Sequence, residues 1–239
     1  MRRVIIFLLT VLLYGQAAAF SGLNEITGWP VLWWPKNKSD DLALKAGGAG
    51  AGGRLSWNLG MPHGFAPSLF TEFAYFKYDA ELVRIPFETQ PGGNGVNIDN
   101  GYNMYTAGSG ITLEFHKYAF RPYCEISGGF IHYSNTYRID NRVWIGEPID
   151  RTVSVNKSTS YYEIGGGLKF LMWSSPAESQ ERPSREVLLD FKGGYLRGGK
   201  AAFLSRNSAH LDETNSLAYA FVNTSLSLYQ FRLGVNVIL

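Results

Sequence analysis

Residues 102–116 read YNMYTAGSGITLEFH. Tyr105, Ala107, Ser109, Ile111, Leu113 and Phe115 fall on one parity, and Thr106, Gly108, Gly110, Thr112 and Glu114 on the other. Successive side chains of a β-strand point to opposite faces. The segment is therefore a strand with one apolar face and one face that is small or polar. The same pattern recurs along the chain. In 157–173, Tyr162, Ile164, Gly166, Leu168, Phe170 and Met172 oppose Tyr161, Glu163, Gly165, Gly167 and Lys169. In 185–197, Val187, Leu189, Phe191, Gly193 and Tyr195 oppose Asp190, Lys192 and Gly194. In the last eleven residues, Tyr229, Phe231, Leu233, Val235, Val237 and Leu239 oppose Gln230, Arg232, Gly234 and Asn236. Residues 65–78 repeat it around Glu72, and 119–135 repeat it more weakly around Glu125.

A soluble β-sandwich also alternates, but it puts its charged face in water. Here the polar faces are rich in glycine and carry one or two charges per strand, as the crowded interior of a small barrel requires. Those charges nearly balance: Glu72, Glu114, Glu125, Glu163 and Asp190 against Lys45, Lys169, Lys192 and Arg232. The apolar faces carry aromatics near the strand ends, at Tyr105 and Phe115, Tyr162 and Phe170, and Tyr229, as interfacial girdles do. The pattern predicts an all-β, antiparallel, up-and-down transmembrane β-barrel, with a soluble exported β-sandwich as the competing fold.

Connections set the strand count. Those near 58–64, 116–119 and 174–184 are short or tight, and those near 79–101, 139–157 and 199–216 are long and polar. Bacterial barrels have short periplasmic turns, long outer loops and both termini inside. Counting back from Leu239 gives strands at 185–198, 157–173, 118–138, 102–116, 65–80 and 42–57. One more rising strand is needed, and 23–35 (LNEITGWPVLWWP) supplies it, for a total of eight. Pro30 cannot donate to a ladder, so a bulge is expected there; the alternative is that 20–41 is a periplasmic or plug segment. The run 47–53 (GGAGAGG) lacks the Lys-Ser/Thr pair of a phosphate-binding loop. Its glycines read instead as room for lumen side chains of a neighbouring strand.

Composition agrees. Aromatics are 15% and charged residues 18% of the chain. Residues 1–19 carry Arg2, Arg3, an apolar run and Ala17-Ala18-Ala19, the three-part form of a cleaved signal peptide, leaving 20–239 as a single domain. Removing Arg2 and Arg3 leaves cations and carboxylates equal, which argues against a general nucleic-acid binder. One cysteine, Cys124, excludes an internal disulfide and cysteine-based metal sites. The four histidines form no ligand cluster with acids, so neither metal nor cofactor is expected.

The leader, the alternating strands and the final strand at 229–239 resemble the small eight-stranded bacterial outer-membrane barrels of the OmpA-domain and OmpX type. The resemblance implies a Gram-negative outer membrane, lipid and lipopolysaccharide as surroundings, and the barrel assembly machinery as a partner. It further implies a structural or surface-interaction role without catalysis, with loops 79–101, 139–157 and 199–216 meeting a surface ligand. The architecture is porin-like, but eight strands leave an interior filled by side chains. A second resemblance rests on His132-Tyr133-Ser134-Asn135, similar to the His-x-Ser-Asn motif of lipid A deacylase barrels. It implies an ester hydrolase in which His132 activates Ser134 and a carboxylate orients the histidine. His132 and Ser134 share the lipid-face parity of Cys124, Ile126 and Phe130. Glu163 has lumen parity, and Glu147 lies in a loop, so the expectation is that this pair is not catalytic.

Overall fold

In a computed structural model the chain is described over residues 23–36, 47–59, 65–77, 82–86, 95–115, 119–140, 151–175, 185–204, 210–211, 217–218 and 221–239. The expected leader, Lys45 and Glu147 lie outside these residues. Eight long strands form the body: β1 (Leu23–Pro35), β2 (Gly48–Asn58), β3 (Phe65–Lys77), β4 (Gly95–Phe115), β5 (Phe120–Asp140), β6 (Arg151–Ser174), β7 (Glu186–Leu204) and β8 (Phe221–Ile238). Each pairs antiparallel with the next in sequence, and β1 pairs with β8, so the sheet closes on itself. The fold is an all-β antiparallel barrel of eight strands. Closure leaves no free edge through the barrel wall.

Side chains sort by parity as the alternation requires. On the outside, Ile126, Phe130, Ile164, Phe231, Leu233 and Val235 are exposed. On the inside, Glu72, Glu114, Glu125, Glu163, Lys169, Asp190, Lys192 and Arg232 are all buried. The polarity is inverted relative to a protein folded in water. At one end of the barrel sit the links between β2 and β3, β4 and β5, and β6 and β7, together with Leu239, whose N–H donates to Asn24 O at 2.9 Å. We call it the closed-turn end, and its opposite the far end.

Two expectations change. No bulge forms at Pro30: β1 stays in one register with β8 from Glu25–Ile238 to Pro35–Leu228, and the ladder skips only Trp29 and Pro30. A missing N–H on the β8 side costs a rung without shifting the strand. The irregularity of β1 lies instead between Leu23 and Glu25. Second, the long loops are shorter than 79–101, 139–157 and 199–216. Residues 95–101, 139–140, 151–157 and 199–204 belong to strands, and Leu82–Pro86 adds a short strand beside β4. The period of two fades in these stretches of sequence although the backbone pairing continues. The expected strand ends at 42–46 and 78–80 lie outside the described residues.

Candidate functional site

The lumen holds a closed ring of alternating charge. Arg54 on β2 makes a two-pronged contact with Glu125, at 2.7 and 2.9 Å, and donates to Glu72 at 2.9 Å. Arg232 on β8 donates to the same Glu72 oxygen at 2.9 Å and to Glu163 at 2.9 Å. Lys192 on β7 completes the circuit, pairing with Glu163 at 2.6 Å and with Glu125. Three cations and three carboxylates from six strands thus cross-brace the wall. Gln230 accepts from Arg232 at 3.0 Å. Planar guanidinium groups suit such a site, since each presents a fork to two carboxylates. Nearer the closed-turn end Lys169 bridges Glu25 (2.8 Å) and Glu114 (2.7 Å), and Arg121 pairs with Glu186 at 2.7 Å. Asp190 accepts from the Tyr123 hydroxyl at 2.8 Å.

Toward the far end the lumen turns apolar. Val31, Trp33, Phe76, Met104, Ile131, Tyr133, Leu196, Leu226 and Leu228 are all buried there. Charged ring and apolar layer together fill the bore. The glycines of β2 make room for this filling. A Cβ on Gly52 would lie 2.8 Å from the indole of Trp29 and 2.8 Å from Phe73 O, and one on Gly48 would meet the ring of Trp33. Trp29 in turn lies over Arg232 at 4.9 Å and Arg54 at 5.6 Å. Gly52→Val is accordingly expected to destabilise by about 1–3 kcal/mol through overpacking. Gly28→Ala, where a Cβ meets nothing within 4 Å, should be near neutral. Urea midpoints of the two variants check this.

Arg54, Glu25 and Arg121 are members of these clusters that sequence reading missed. Arg54 was legible: it shares parity with Ser56 and opposes Leu55, whose side chain faces out. Glu25 was hidden by the proline of its strand, and Arg121 by its place just inside a turn.

On the outer wall His132 and Ser134 do share one face, but the hydrogen bond of His132 runs to another residue. Its Nδ1 lies 2.9 Å from Ser158 Oγ on β6, its cross-strand partner. Ser134 faces Asn156 across the same pair of strands. Tyr105 stacks near the imidazole, ring centroids 6.3 Å apart. Glu163 is buried in the charge ring and does not approach it. Ser158 was missed because nothing short of the β5–β6 register connects residues 26 apart. Among the described residues no group of three His, Cys, Asp or Glu could hold a metal ion.

No family model matches the sequence, and no curated protein matches it. Several solved structures share its backbone course. Neisserial surface protein A is 12% identical, with 90% of this chain and 96% of that one covered and a TM-score of 0.44. Ail, the attachment invasion locus protein of Yersinia pestis, solved with a heparin analogue, is 14% identical, with 91% and 99% covered and a TM-score of 0.45. A major outer membrane protein from Thermus thermophilus is 11% identical, with 90% and 99% covered and a TM-score of 0.47. At these identities and TM-scores the likeness concerns fold alone, and the functional assignment rests on the chain's own side chains.

Proposed function

We propose that this chain is a bacterial outer-membrane protein that acts from its far end, on the cell surface, rather than through its lumen. The observation that carries this reading is the inverted polarity: exposed Ile, Leu, Val and Phe outside, a paired charge ring inside. Such a surface is stable only where lipid, not water, meets the wall. The aromatic bands support it. Tyr105 and Phe115 bound the apolar face of β4, ten residues apart, which on a tilted strand spans about 25 Å, the height of an outer-membrane apolar band.

Crossing a bilayer takes about 9–11 residues per strand. β4, β5 and β6 have 21, 21 and 24 residues, so they project past the membrane as a small sheet joined by Leu82–Pro86. That projection, built from the far parts of β4, β5 and β6, is the surface offered to a ligand. Residues 1–19 act as the export leader, and the barrel assembly machinery inserts the mature chain among outer-membrane lipid and lipopolysaccharide.

A second reading is favoured by the 2.9 Å contact of His132 with Ser158: ester hydrolysis on the lipid-facing wall, with a serine as nucleophile and His132 as base. Among the described residues no carboxylate shares the outward face beside His132 to orient it. Mass spectra of lipid A from cells with and without the protein separate the readings. The surface role predicts identical masses. Loss of one acyl chain, abolished by Ser158→Ala or Ser134→Ala, would replace it with the hydrolase.

A further inference from the structure

We propose that the outer wall of β1, β8 and β7 carries a binding site for the phosphate groups of an outer-leaflet lipid, built by Lys36, Arg197 and Lys200. The site rests on the membrane reading above and goes beyond it, because it names a lipid-recognition surface and its ligand chemistry.

Placement comes from register. Trp34, Tyr229 and Tyr195 form one cross-strand row on the outside, with Tyr195 and Tyr229 centroids 5.6 Å apart. One outward step further from the closed-turn end stand Lys36, Ser227 and Arg197. Lys36 N donates to Ser227 O at 2.8 Å, and Ser227 faces Arg197. The Lys36 ammonium reaches across β8 to lie 5.1 Å from the ring of Tyr195. It is therefore held against the wall rather than extended into solvent.

Lys200 joins them through a bulge. Strict alternation from Lys192 would send Lys200 into the lumen. Instead the pairing of β7 with β8 shifts between Arg197–Ser227 and Lys200–Ser225. Gly198 and Gly199 both turn inward there: a Cβ on Gly198 would sit 2.7 Å from the Tyr133 hydroxyl, and one on Gly199 would collide with Thr159. The extra residue reverses parity above it, so Lys200 faces out beside the exposed Ser225. Bulges commonly re-aim a side chain in this way.

Three exposed cations and two serine hydroxyls thus sit directly above an aromatic row, at the depth where headgroup phosphates lie. Among the described residues none of the three cations has a carboxylate partner. Glu25, Glu72, Glu114, Glu125, Glu163 and Asp190 are buried in the lumen, and Glu186 pairs with Arg121 near the closed-turn end. Cross-strand spacing puts Lys36 and Arg197 about 10 Å apart at the backbone, within reach of one phosphorylated headgroup.

The test uses the folded full chain in nonionic maltoside micelles, titrated with diphosphorylated lipid A and read by native mass spectrometry. Each of Lys36→Gln, Arg197→Gln and Lys200→Gln should weaken binding about fivefold, and the triple variant roughly a hundredfold. Lys77→Gln, an exposed cation on β3, should change it less than about twofold. Dephosphorylated lipid A should bind the parent protein as poorly as the phosphorylated form binds the triple variant. Wild-type affinity in the triple variant, or equal binding of the dephosphorylated lipid, overturns the proposal. So does displacement of the lipid by millimolar inorganic phosphate, which would make the ligand a free anion. Insertion into phosphatidylcholine vesicles, read as a gel-mobility shift on heating, is scored in parallel. If the parent chain inserts and the triple variant binds normally, only the phosphate site falls; if the parent does not insert, the membrane reading falls with it.

Discussion

Arg54→Ala and Arg232→Ala are each expected to lower the stability of the folded barrel by about 3–5 kcal/mol. Arg54 holds Glu72 and Glu125, and Arg232 holds Glu72 and Glu163, all buried. Deleting one guanidinium leaves buried carboxylates without the cation that compensates their charge. The circuit makes the losses non-additive. Arg54→Ala combined with Glu125→Gln should cost clearly less than the sum of the single changes, because the second removes the charge the first has stranded. Lys77→Ala, on an exposed side chain at the rim, should stay within about 0.5 kcal/mol. Urea unfolding in vesicles measures these variants and the single Glu125→Gln change. Equal midpoints for Arg54→Ala and Lys77→Ala would mean the ring does not brace the wall.

Leu233→Arg carries the other large effect. Leu233 faces out and is 41% exposed, four residues below Tyr229 on β8, which puts it well inside the apolar band. In water an arginine there would be harmless. In a bilayer it should cost about 2–4 kcal/mol. Ser225→Arg, on the same face but above Tyr229, should cost almost nothing, since charge penalties fall steeply toward the interface. Matched unfolding curves for the two variants in vesicles would show that the wall does not contact lipid at Leu233.

Much of this fold could be read from the chain because a closed barrel writes its two faces into parity. An exposed apolar wall on one side and a packed bore on the other force the period of two through residues 102–116, 157–173 and 229–239. The expected β1 at 23–35 matches Leu23–Pro35 despite its proline. Legibility failed where that forcing ends. In the far parts of β4, β5 and β6 the sequence loses its period of two, so Asn97, Asp99 and Lys157 read as loop though their backbone is paired. The apolar far half of the lumen was missed because Trp33, Phe76 and Leu228 look like lipid-facing residues until their parity is fixed by Arg54, Glu72 and Arg232 on the same strands. The partner of His132 depended on register, which no local pattern encodes. Lys200 fell in the expected connection 199–216, and the bulge that sets its face has Gly198-Gly199 as its local sign.

The lipid-facing wall can be tested without any substitution, because the chain has one cysteine and it faces out. Cys124 is exposed on β5, with Leu113 and Gly166 as its cross-strand neighbours and Ile126 two residues on. A nitroxide attached to it in the vesicle-inserted protein reports which phase it touches, through collisions with oxygen, which concentrates in lipid, and with a water-soluble nickel chelate. A wall bathed in lipid predicts strong relaxation by oxygen and little by nickel. Strong relaxation by nickel at Cys124 would put water against the apolar face and contradict a membrane-spanning barrel.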